Sequence, residues 1–285
     1  MNNRWVIVTG ASSGIGRDTA LLLARSGFSV LAGVRKDADA ESLRQEAAGA
    51  SLQLQTVTLD VTERAHIQDL AAKLPGMLGD GQLYALVNNA GVVVAGPAES
   101  VAAETWEHQY RTNLFGPIAL TAAMIPFLRR SRGRIVNVSS IGGRCAVPFM
   151  SPYTSSKFAM EGWSDALRVE LRRDGIEVVL VEPGAIATPL WAKGHQAGDR
   201  LESELPSPMR QRYASEIDAV RAMARKTEKI AIPPLKVAYA ILQALTARKP
   251  RTRYLVGTDA KVQAALKWLL PDRWMDGLLA KAMGL

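Results

Sequence analysis

Short apolar runs alternate with amphipathic segments along most of the chain, and this alternation most constrains the fold. The run RWVIVTG precedes the helical pattern RDTALLLARSG, and FSVLAGV precedes ADAESLRQEAAG. Later runs of the same kind are LYALVNNAG, GRIVNVSS and IEVVLVEPG. Apolar runs with little alternation are typical of strands buried on both faces, and strands separated by helices are joined by right-handed crossovers. The sequence therefore predicts an α/β fold, a doubly wound parallel sheet of the Rossmann type flanked by helices.

The chain shows no feature that would divide it into separate domains. Its 285 residues are 48% hydrophobic, enough to bury one large core. We find no repeat, low-complexity segment or linker, and we predict one domain over residues 1–285. Residues 189–233 break the rhythm, because they are polar, punctuated by proline and too long for an ordinary connection. We expect helices there and a helical extension over residues 259–285.

The bulk composition bears on location and partners. Cys145 is the one cysteine, so no internal disulfide is expected. We see no signal peptide and no apolar run near the ~18 residues that span a bilayer, and we expect a cytoplasmic protein. The net charge of +8 comes from scattered residues, which favours solvated helix faces over a nucleic-acid surface. His66, His108 and His195 lack metal-ligand spacing, so no metal site is predicted.

A glycine-rich segment, TGASSGIG, lies between the first predicted strand and the first predicted helix. Gly10, Gly14 and Gly16 permit a tight turn and let a phosphate approach without a Cβ in the way. The helix start then offers unpaired N–H groups to a pyrophosphate. The spacing G-x-x-x-G-x-G differs from the general dinucleotide fingerprint, but it stands in the strand–turn–helix context that such a loop requires.

Tyr153 and Lys157 are four residues apart in SPYTSSKFAM, which places them on one face of a predicted helix. A free phenol has a pKa of ~10 and keeps its proton near neutrality, whereas a fixed ammonium nearby favours the phenolate. The pair therefore has the chemistry of a proton-transfer device. The spacing alone is weak, since any long sequence contains some such pairs by chance.

Four further stretches follow the glycine-rich segment in order: Asp60-Val61, NNAG at 88–91, Ser139-Ser140 and YTSSK at 153–157. The five motifs in this order resemble the short-chain dehydrogenase/reductase family in its single-domain form, from residue 4 to about residue 190. VLAGVRKDADAESL and the C-terminal segment are more loosely similar to the retinol and 17β-hydroxysteroid dehydrogenase branch. The resemblance implies an oxidoreductase that transfers a hydride between a nicotinamide cofactor and an alcohol or ketone.

The resemblance assigns catalytic roles by position. The family's catalytic tyrosine and lysine fall on Tyr153 and Lys157, with Tyr153 as the general acid and base. Its serine, thirteen residues before the tyrosine, selects Ser140 over Ser139. Asn113 falls on a helix asparagine that joins a proton relay, and the alternative that it only bonds backbone stays open.

The resemblance also implies a cofactor site along the chain. Asp60 is expected to meet the adenine ring with Val61 packed on it, and Ile186 and Thr188 are expected near the nicotinamide carboxamide. The implied cofactor-binding residues are Gly10, Ser12, Ser13, Gly14, Ile15, Gly16, Asp60, Val61, Asn88, Ala90, Gly91, Tyr153, Lys157, Pro183, Gly184, Ile186 and Thr188.

The cofactor preference depends on the end of the second strand. An acidic residue there bonds the ribose hydroxyls of NAD, whereas a basic residue accommodates the 2′-phosphate of NADP. The strand runs into Val34 and Arg35, and Asp37 comes too late. Because arginine pairs with phosphate through two parallel hydrogen bonds, we predict NADP rather than NAD, with Arg35 as the contact. Against this, Ser13 stands where many NADP-using relatives carry a second basic residue.

The substrate is predicted from two segments near the expected site. The resemblance places a substrate lid at residues 189–233. Apolar residues of the lid and of the loop after Ser140 are Trp191, Met209, Tyr213, Met223, Val147, Pro148, Phe149 and Met150. We interpret them as the wall of a hydrophobic site or as packing of the lid on the body. The hypothesis is a steroid-, retinoid- or long-chain-like alcohol or ketone.

Two other functions stay open. A 3-ketoacyl-carrier-protein reductase would use the basic surface to meet an acidic carrier, although the long lid and the C-terminal extension argue against it. A non-catalytic NADP-binding sensor or scaffold would share the fold. The presence of Ser140, Tyr153 and Lys157 argues against that second alternative, since a binding module needs no proton donor.

The C-terminal segment and the quaternary structure complete the predictions. The segment mixes apolar with basic residues, so it packs on the body or a second subunit or makes a peripheral membrane contact. The apolar residues concerned are Trp268, Leu269, Leu270, Trp274, Leu278 and Leu279. The family usually forms dimers or tetramers through the helices carrying Asn113 and Tyr153, so a homodimer or homotetramer is expected.

Overall fold

The computed structural model describes residues 4–283, and over that range a single domain is built on one sheet of seven strands. The strands are β1 (Arg4–Thr9), β2 (Ser29–Val34), β3 (Leu54–Thr58), β4 (Gln82–Asn88), β5 (Arg134–Val138), β6 (Glu177–Pro183) and β7 (Arg253–Val256). Their order is β3-β2-β1-β4-β5-β6-β7, and each neighbouring pair is parallel. The strand order reverses between β1 and β4, which confirms the doubly wound sheet.

Helices cover both faces of this sheet. They are α1 (Gly14–Arg25), α2 (Asp37–Gly49), α3 (Arg64–Leu78), α4 (Ala103–Tyr110), α5 (Gly116–Ser131), α6 (Ser151–Glu170), α7 (Leu190–Glu204), α8 (Ser207–Arg212), α9 (Ala214–Lys229), α10 (Leu235–Thr246), α11 (Thr258–Leu269) and α12 (Asp272–Met283). In the part of the chain described, no helix combines the length and apolar character needed to cross a membrane.

The core consists of two apolar layers, one on each face of the sheet. Along β1, Val6 and Val8 contribute to the layer that contains α1 and α10. Trp5 and Ile7 contribute to the opposite layer, which contains α3 and α5. Successive residues of a strand point to opposite faces, so a strand buried on both sides needs an unbroken apolar run. This requirement explains the sequence RWVIVT.

The long helical region before β5 is interrupted by a π-helical turn over Arg111–Phe115. The sequence predicts an interruption near Gly116 and Pro117, and the structure begins it one turn earlier. In an α-helix the carbonyl of Asn113 would accept the N–H of residue 117, but proline has none. Pi turns are frequent at functional sites, and this one carries the predicted relay asparagine.

Residues 189–233 and the C-terminal segment are largely helical, as the sequence predicts. The first contains α7, α8 and α9, and the second contains α11 and α12. Asp259, in the first turn of α11, attaches the second segment to the body. Its Oδ2 accepts a hydrogen bond from the backbone N–H of Ala185 at 2.7 Å, and a Cβ at Gly184 would lie 2.1 Å from that same oxygen. Asp259 of the C-terminal extension therefore fixes the position of the loop after β6.

Loss of the Asp259 carboxylate leaves a main-chain donor without its partner. We expect Asp259→Ala to lower the free energy of unfolding by about 1–3 kcal/mol, the usual cost of an unsatisfied buried group. Urea denaturation measures this. Asp272→Ala is the matched control, since Asp272 also lies in the first turn of a C-terminal helix but is largely exposed. If Asp259→Ala lowers the free energy of unfolding no more than Asp272→Ala does, the stabilising role of the Asp259–Ala185 hydrogen bond is contradicted.

Candidate active site

Four loops meet at one edge of the sheet because parallel strands all end on the same side. They follow β1, β4, β5 and β6 and contain the glycine-rich turn, the NNAG motif, the two serines and the segment 183–188. Ligands of open α/β sheets bind outside this carboxyl edge, where the strand order reverses. The topology therefore brings together most of the residues that the sequence nominates.

The glycine-rich turn has the backbone shape that its sequence predicts. Gly10 and Gly14 have φ values of 65° and 55°, in the left-handed region that other residues rarely adopt. A Cβ at Gly14 would lie 3.0 Å from Cγ2 of Thr188, so this turn directly borders the loop after β6. Ser13 precedes α1 without a side-chain capping bond, which leaves the first N–H groups of that helix for a ligand.

The side chains of Asn88 and Asn89 make structural hydrogen bonds that the sequence does not predict. Asn88 is buried, and its Nδ2 donates to Thr121 Oγ1 at 2.9 Å and to Asn137 Oδ1 at 2.8 Å. This leaves its main chain as the part available to a nucleotide, since the side chain crosslinks the core. Asn89, which sequence reasoning missed, donates from Nδ2 to the carbonyls of Thr9 and Gly10 at 2.8 and 3.3 Å. It ties the glycine-rich turn to β4.

Ala90 and Gly91 continue the NNAG motif toward the π turn. The N–H of Ala90 donates to Thr9 Oγ1 at 2.9 Å, and Ala90 also lies against Gly10. Gly91 lies against Oδ1 of Asn113. The motif therefore spans the distance between the glycine-rich turn and the π turn, so one continuous wall borders this part of the cleft.

Ser140, Tyr153 and Lys157 converge where β5 ends beside α6. The Tyr153 ring and Ser140 Oγ are neighbours beside Gly142, close enough for the Ser140 hydroxyl to act on the phenol, and Ser140 Oγ accepts the N–H of Gly142 at 3.0 Å. Lys157 is 5% exposed and donates from Nζ to the carbonyl of Val138 at 2.8 Å. Its Nζ lies 6.0 Å from the centre of the Tyr153 ring.

Burial dominates the electrostatics of this cluster. It raises the pKa of Tyr153 above that of a free phenol, and the hydrogen bond from Ser140 partly opposes the shift. Burial lowers the pKa of Lys157 to about 8, while Glu161 acts in the opposite direction. Near neutral pH the phenol therefore keeps its proton and the amine is mostly charged. This combination suits an acid that delivers a proton to a developing oxyanion.

Asn113 occupies a fixed position at the back of the cluster. Its Nδ2 donates to the carbonyl of Val92 at 3.0 Å and to Ser156 Oγ at 3.2 Å, and its Oδ1 accepts the N–H of Val92 at 2.9 Å. Ser156 in turn donates to the carbonyl of Tyr153 at 2.7 Å. The Asn113 side chain thus connects the π turn to α6, and its main-chain carbonyl is the one that Pro117 leaves without an α-helical donor.

The residues expected on the adenosine side lie around the ends of β2 and β3. The second strand ends at Val34, as predicted, and Arg35 follows it with a largely exposed side chain. Arg35 Nη1 lies 3.8 Å from Asp60 Oδ2, which places both residues on one side of the cleft. Asp60 also accepts from the N–H and hydroxyl of Thr62, and these bonds contribute to its lowered pKa. Val61 is buried in the core layer with α3 and α5.

The segment 183–188 forms the opposite side of the cleft. Ile186 is buried against the core, and its carbonyl accepts from Trp191 Nε1 at 2.7 Å. Thr188 is half-buried beside the glycine-rich turn. Asp259 accepts the N–H of Ala185 in this segment. Sequence analysis did not identify it, because this partner lies 74 residues earlier in the chain. Its only sequence signal, an acidic residue at a helix start, has a commoner explanation in helix capping.

On the expected substrate side, the lid contacts both the loop after Ser140 and the loop after β4. Phe149 and Tyr213 pack edge to face with ring centres 5.9 Å apart, and the Tyr213 hydroxyl donates to Glu99 Oε1 at 2.6 Å. Phe149 has a φ of 63°, unusual for a bulky side chain, and its carbonyl accepts the N–H of Gly96 at 2.7 Å. The loop after Ser140 is therefore fixed between the lid and the loop after β4.

This arrangement fits a dinucleotide with a nicotinamide end. The turn at Gly10 and Gly14 packs closely on Ala90 and Thr188, where a Cβ would clash, and α1 supplies its uncapped N-terminus for a pyrophosphate. Arg35 and Asp60 lie together after β2 and β3, and Thr188 lies beside the glycine-rich turn after β6. The exposed guanidinium of Arg35 and the uncapped N-terminus of α1 are donors that phosphate groups accept.

Comparison with known proteins agrees with the fold. A family model described as short chain dehydrogenase matches residues 4–198. Retinol dehydrogenase 5 of Mus musculus is 36% identical over 98% of this chain and 88% of its own length. 17-beta-hydroxysteroid dehydrogenase type 6 of Bos taurus is 36% identical over 99% of this chain and 89% of its own length.

Solved structures share the fold at lower identity. An actinorhodin polyketide ketoreductase variant with NADPH is 28% identical, with a TM-score of 0.72 over 90% of this chain and 97% of that one. A short chain dehydrogenase/reductase from Burkholderia phymatum in complex with NAD has a TM-score of 0.79 at 22% identity, covering 93% and 92% of the two chains. The fold, the sequence motifs and these matches show that the chain belongs to the short-chain dehydrogenase/reductase family of oxidoreductases.

Proposed function

We propose that this protein is an NADP(H)-dependent alcohol dehydrogenase or carbonyl reductase that acts on hydrophobic substrates. The observation that carries the proposal is the convergence of Ser140, Tyr153 and Lys157 beside the glycine-rich turn. The two groups of residues are far apart in the sequence, yet the sheet places them at one edge. A nucleotide-binding sensor needs the turn but does not need a buried phenol beside a buried amine.

The proposed mechanism assigns one task to each side chain. The nicotinamide cofactor supplies or accepts the hydride. Ser140 donates a hydrogen bond to the substrate oxygen, because its own Oγ is already held by the N–H of Gly142. Tyr153 delivers a proton to that oxygen during reduction and removes it during oxidation. Lys157 provides the positive charge that stabilises the phenolate, and Asn113 holds the helix turn behind it.

The pKa directions favour reduction near neutral pH. Burial keeps the Tyr153 phenol protonated, which is the form required to donate a proton. Oxidation requires the phenolate and is expected to become faster as the pH rises, until Lys157, whose pKa is about 8, loses its charge. The proposed direction is therefore carbonyl reduction, with alcohol oxidation favoured at mildly alkaline pH.

Tyr153→Phe tests whether the phenol performs chemistry or only fills space. We expect kcat to fall at least ~100-fold, the usual contribution of a positioned acid, while cofactor affinity measured by fluorescence titration changes little. Tyr239→Phe is the control, since Tyr239 is an exposed tyrosine on α10. Retention of more than a tenth of the wild-type kcat by Tyr153→Phe would contradict the assignment.

The preference for NADP is proposed from Arg35, and the NADPH-bound ketoreductase supports it while the NAD-bound relative does not. We expect Arg35→Ala to weaken NADPH binding about tenfold or more, because a charge-assisted phosphate contact is lost. NADH affinity should change less than about twofold. Arg44→Ala, an exposed arginine of α2, serves as the control. Tighter binding of NADH than of NADPH by the wild-type protein would contradict the preference.

The hydrophobic substrate class is proposed from the lid and from the relatives. Residues 189–233 supply Trp191 and Tyr213 to the substrate side, and the two mammalian relatives are named for retinol and a hydroxysteroid. A panel of retinoid, steroid and long-chain alcohols and ketones, with 3-ketoacyl thioesters and small polar carbonyls alongside, tests the class. Preferential turnover of the thioesters would favour the carrier-protein reductase, and preferential turnover of the small polar carbonyls would contradict the proposal.

Two exposed apolar surfaces carry the proposals on assembly and membrane contact. Phe115 and Phe158 project from the helices that carry Asn113 and Tyr153, and we assign them to a homodimer or homotetramer contact.

Trp268 and Trp274 project from α11 and α12 and are 83% and 70% exposed. They do not pack on the body, so a peripheral membrane contact of a cytoplasmic protein is proposed for them.

Sedimentation equilibrium and vesicle flotation separate these surfaces. We expect Phe115→Ser with Phe158→Ser to reduce the mass to that of a monomer, because the contact loses its apolar anchors. We expect Trp268→Ser with Trp274→Ser to abolish flotation with lipid vesicles and to leave the mass unchanged. A monomeric wild-type protein would contradict the first proposal, and the absence of wild-type flotation would contradict the second.

A further inference from the structure

Two buried glutamates, one on α6 and one on β6, have no task in the proposed mechanism. Glu161 follows Lys157 by one turn of α6, on the same helix face, and is 7% exposed. Glu182 lies in β6 and is fully buried. Their carboxyl groups both contact one guanidinium, that of Arg253. Carboxylates are rarely buried unless they are paired, so this pair requires an explanation.

Arginines compensate the two carboxylates only in part. Arg253 Nε lies 3.2 Å from Glu161 Oε2 and 3.0 Å from Glu182 Oε1. Its Nη2 contacts Asp165 at 2.7 Å, so its charge is divided among three carboxylates. Arg144 Nη1 adds a longer contact of 3.4 Å to Glu182. Asp165 has a second partner, because Arg168 Nη1 lies 2.7 Å from its Oδ1. Arg253 and the more distant Arg144 are therefore the cations that contact the two glutamates.

Like charges at close range cannot both remain ionised in a poorly solvated site. Burial and the Glu182 carboxylate raise the pKa of Glu161 to about 7, against the opposing effects of Ser139 and Arg253. Burial also raises the pKa of Glu182, while Arg144 and Arg253 lower it. Both shifts favour the protonated acid, and carboxyl groups that contact one arginine nitrogen are expected to titrate as a unit.

The amine of Lys157 is buried without an ion pair among the residues described. Among residues 4–283, no carboxylate lies within 4 Å of its Nζ, and its hydrogen bond goes to the neutral carbonyl of Val138. The Glu161 carboxylate is the acidic group whose field favours the charged form of Lys157. Tyr153 faces Lys157 from the cleft, and Cys145, next to Arg144, lies close enough to feel the field of Glu182.

We propose that Glu161 is a positioning residue that keeps Lys157 charged, and that Glu182 controls Glu161 by sharing one proton with it. When the proton lies on Glu182, Glu161 is an anion one turn from Lys157 and favours the ammonium. When the proton lies on Glu161, that support is lost. The role in catalysis rests on the proposed function, whereas the control of the lysine charge does not.

The proposal predicts that two similar substitutions shift the pKa of Lys157 in opposite directions. Glu161→Gln removes the supporting anion, so the Lys157 pKa should fall by about one unit. Glu182→Gln removes the competing carboxylate, so Glu161 should ionise fully and the Lys157 pKa should rise. Asp165→Asn is the matched control, because Asp165 lies on the same helix and contacts the same arginine but is part of neither the pair nor the site. Its effect on Lys157 should stay below about 0.3 units.

NMR on the cofactor-free full chain measures this directly. The protein is labelled with 13C at lysine Cε, and the Lys157 signal is assigned by its loss in Lys157→Arg. Titration of that signal gives the pKa in the wild type and the three variants, and thermal unfolding verifies that each is folded. Opposite shifts for Glu161→Gln and Glu182→Gln support the proposal, and if one variant does not fold, the sign of the other still decides it.

Three results would overturn the inference: an unchanged Lys157 titration in both glutamate variants, shifts of the same sign, or an equal shift in Asp165→Asn. The pH dependence of kcat/KM provides the second readout, and its alkaline limb should move with the NMR midpoint in each variant. Failure of the proposed function is distinguishable, because a wild-type protein without turnover would leave the NMR shifts intact.

Discussion

All strands of the sheet run in parallel and end at one edge, and the remainder of the structure depends on this constraint. Residues as distant in sequence as Gly10 and Thr188 become neighbours because each follows a strand that ends there. The same constraint requires strands that are buried on both faces, which produces the unbroken apolar runs of the sequence. Positions for polar chemistry are thereby restricted to strand ends and to the helices that follow them.

The polar groups that do enter the interior form connected chains. Asn88 donates to Asn137, and Asn137 donates to Ser164 of α6 at 2.8 Å, so a line of amides and hydroxyls crosses the core below the site. Buried polar networks are stabilising when their members are satisfied, and they fix the relative positions of the elements they join. Here they hold β4, β5 and α6 together, and α6 carries both Tyr153 and Lys157.

The site is defined by burial as much as by its side chains. Burial raises the pKa of the phenol and lowers that of the amine, so each shift moves the group toward its neutral form. The acidic pair at Glu161 and Glu182 is where the fold opposes this tendency for Lys157. The groups whose charges are costly to bury therefore lie close to the proposed proton donor, Tyr153. Lys157 and Glu161 follow it by one and two turns of α6, and Glu182 lies on β6.

Prediction from sequence succeeded where a local pattern has one structural meaning. Alternating runs predicted the parallel sheet. Arg35 directly follows β2 and Ser140 lies beside Tyr153, as expected, but the roles of both residues stay predictions. Sequence analysis did not predict the tertiary contacts of residues whose local sequence already gives them a common structural role. Asn89, Asp259, Glu182 and Arg253 look like turn, cap and strand residues, and only the tertiary fold gives them partners.

The central claim is that hydride and proton transfer occur at the edge where Ser140, Tyr153 and Lys157 converge. The most direct measurement is isotope transfer from NADPH deuterated at both C4 positions to a ketone that the protein reduces, analysed by mass spectrometry of the product alcohol. We expect one deuterium on the carbinol carbon with the wild-type protein and none with Tyr153→Phe over the same period. Deuterium transfer that proceeds equally well without the phenol, or a product formed without label, would contradict the account.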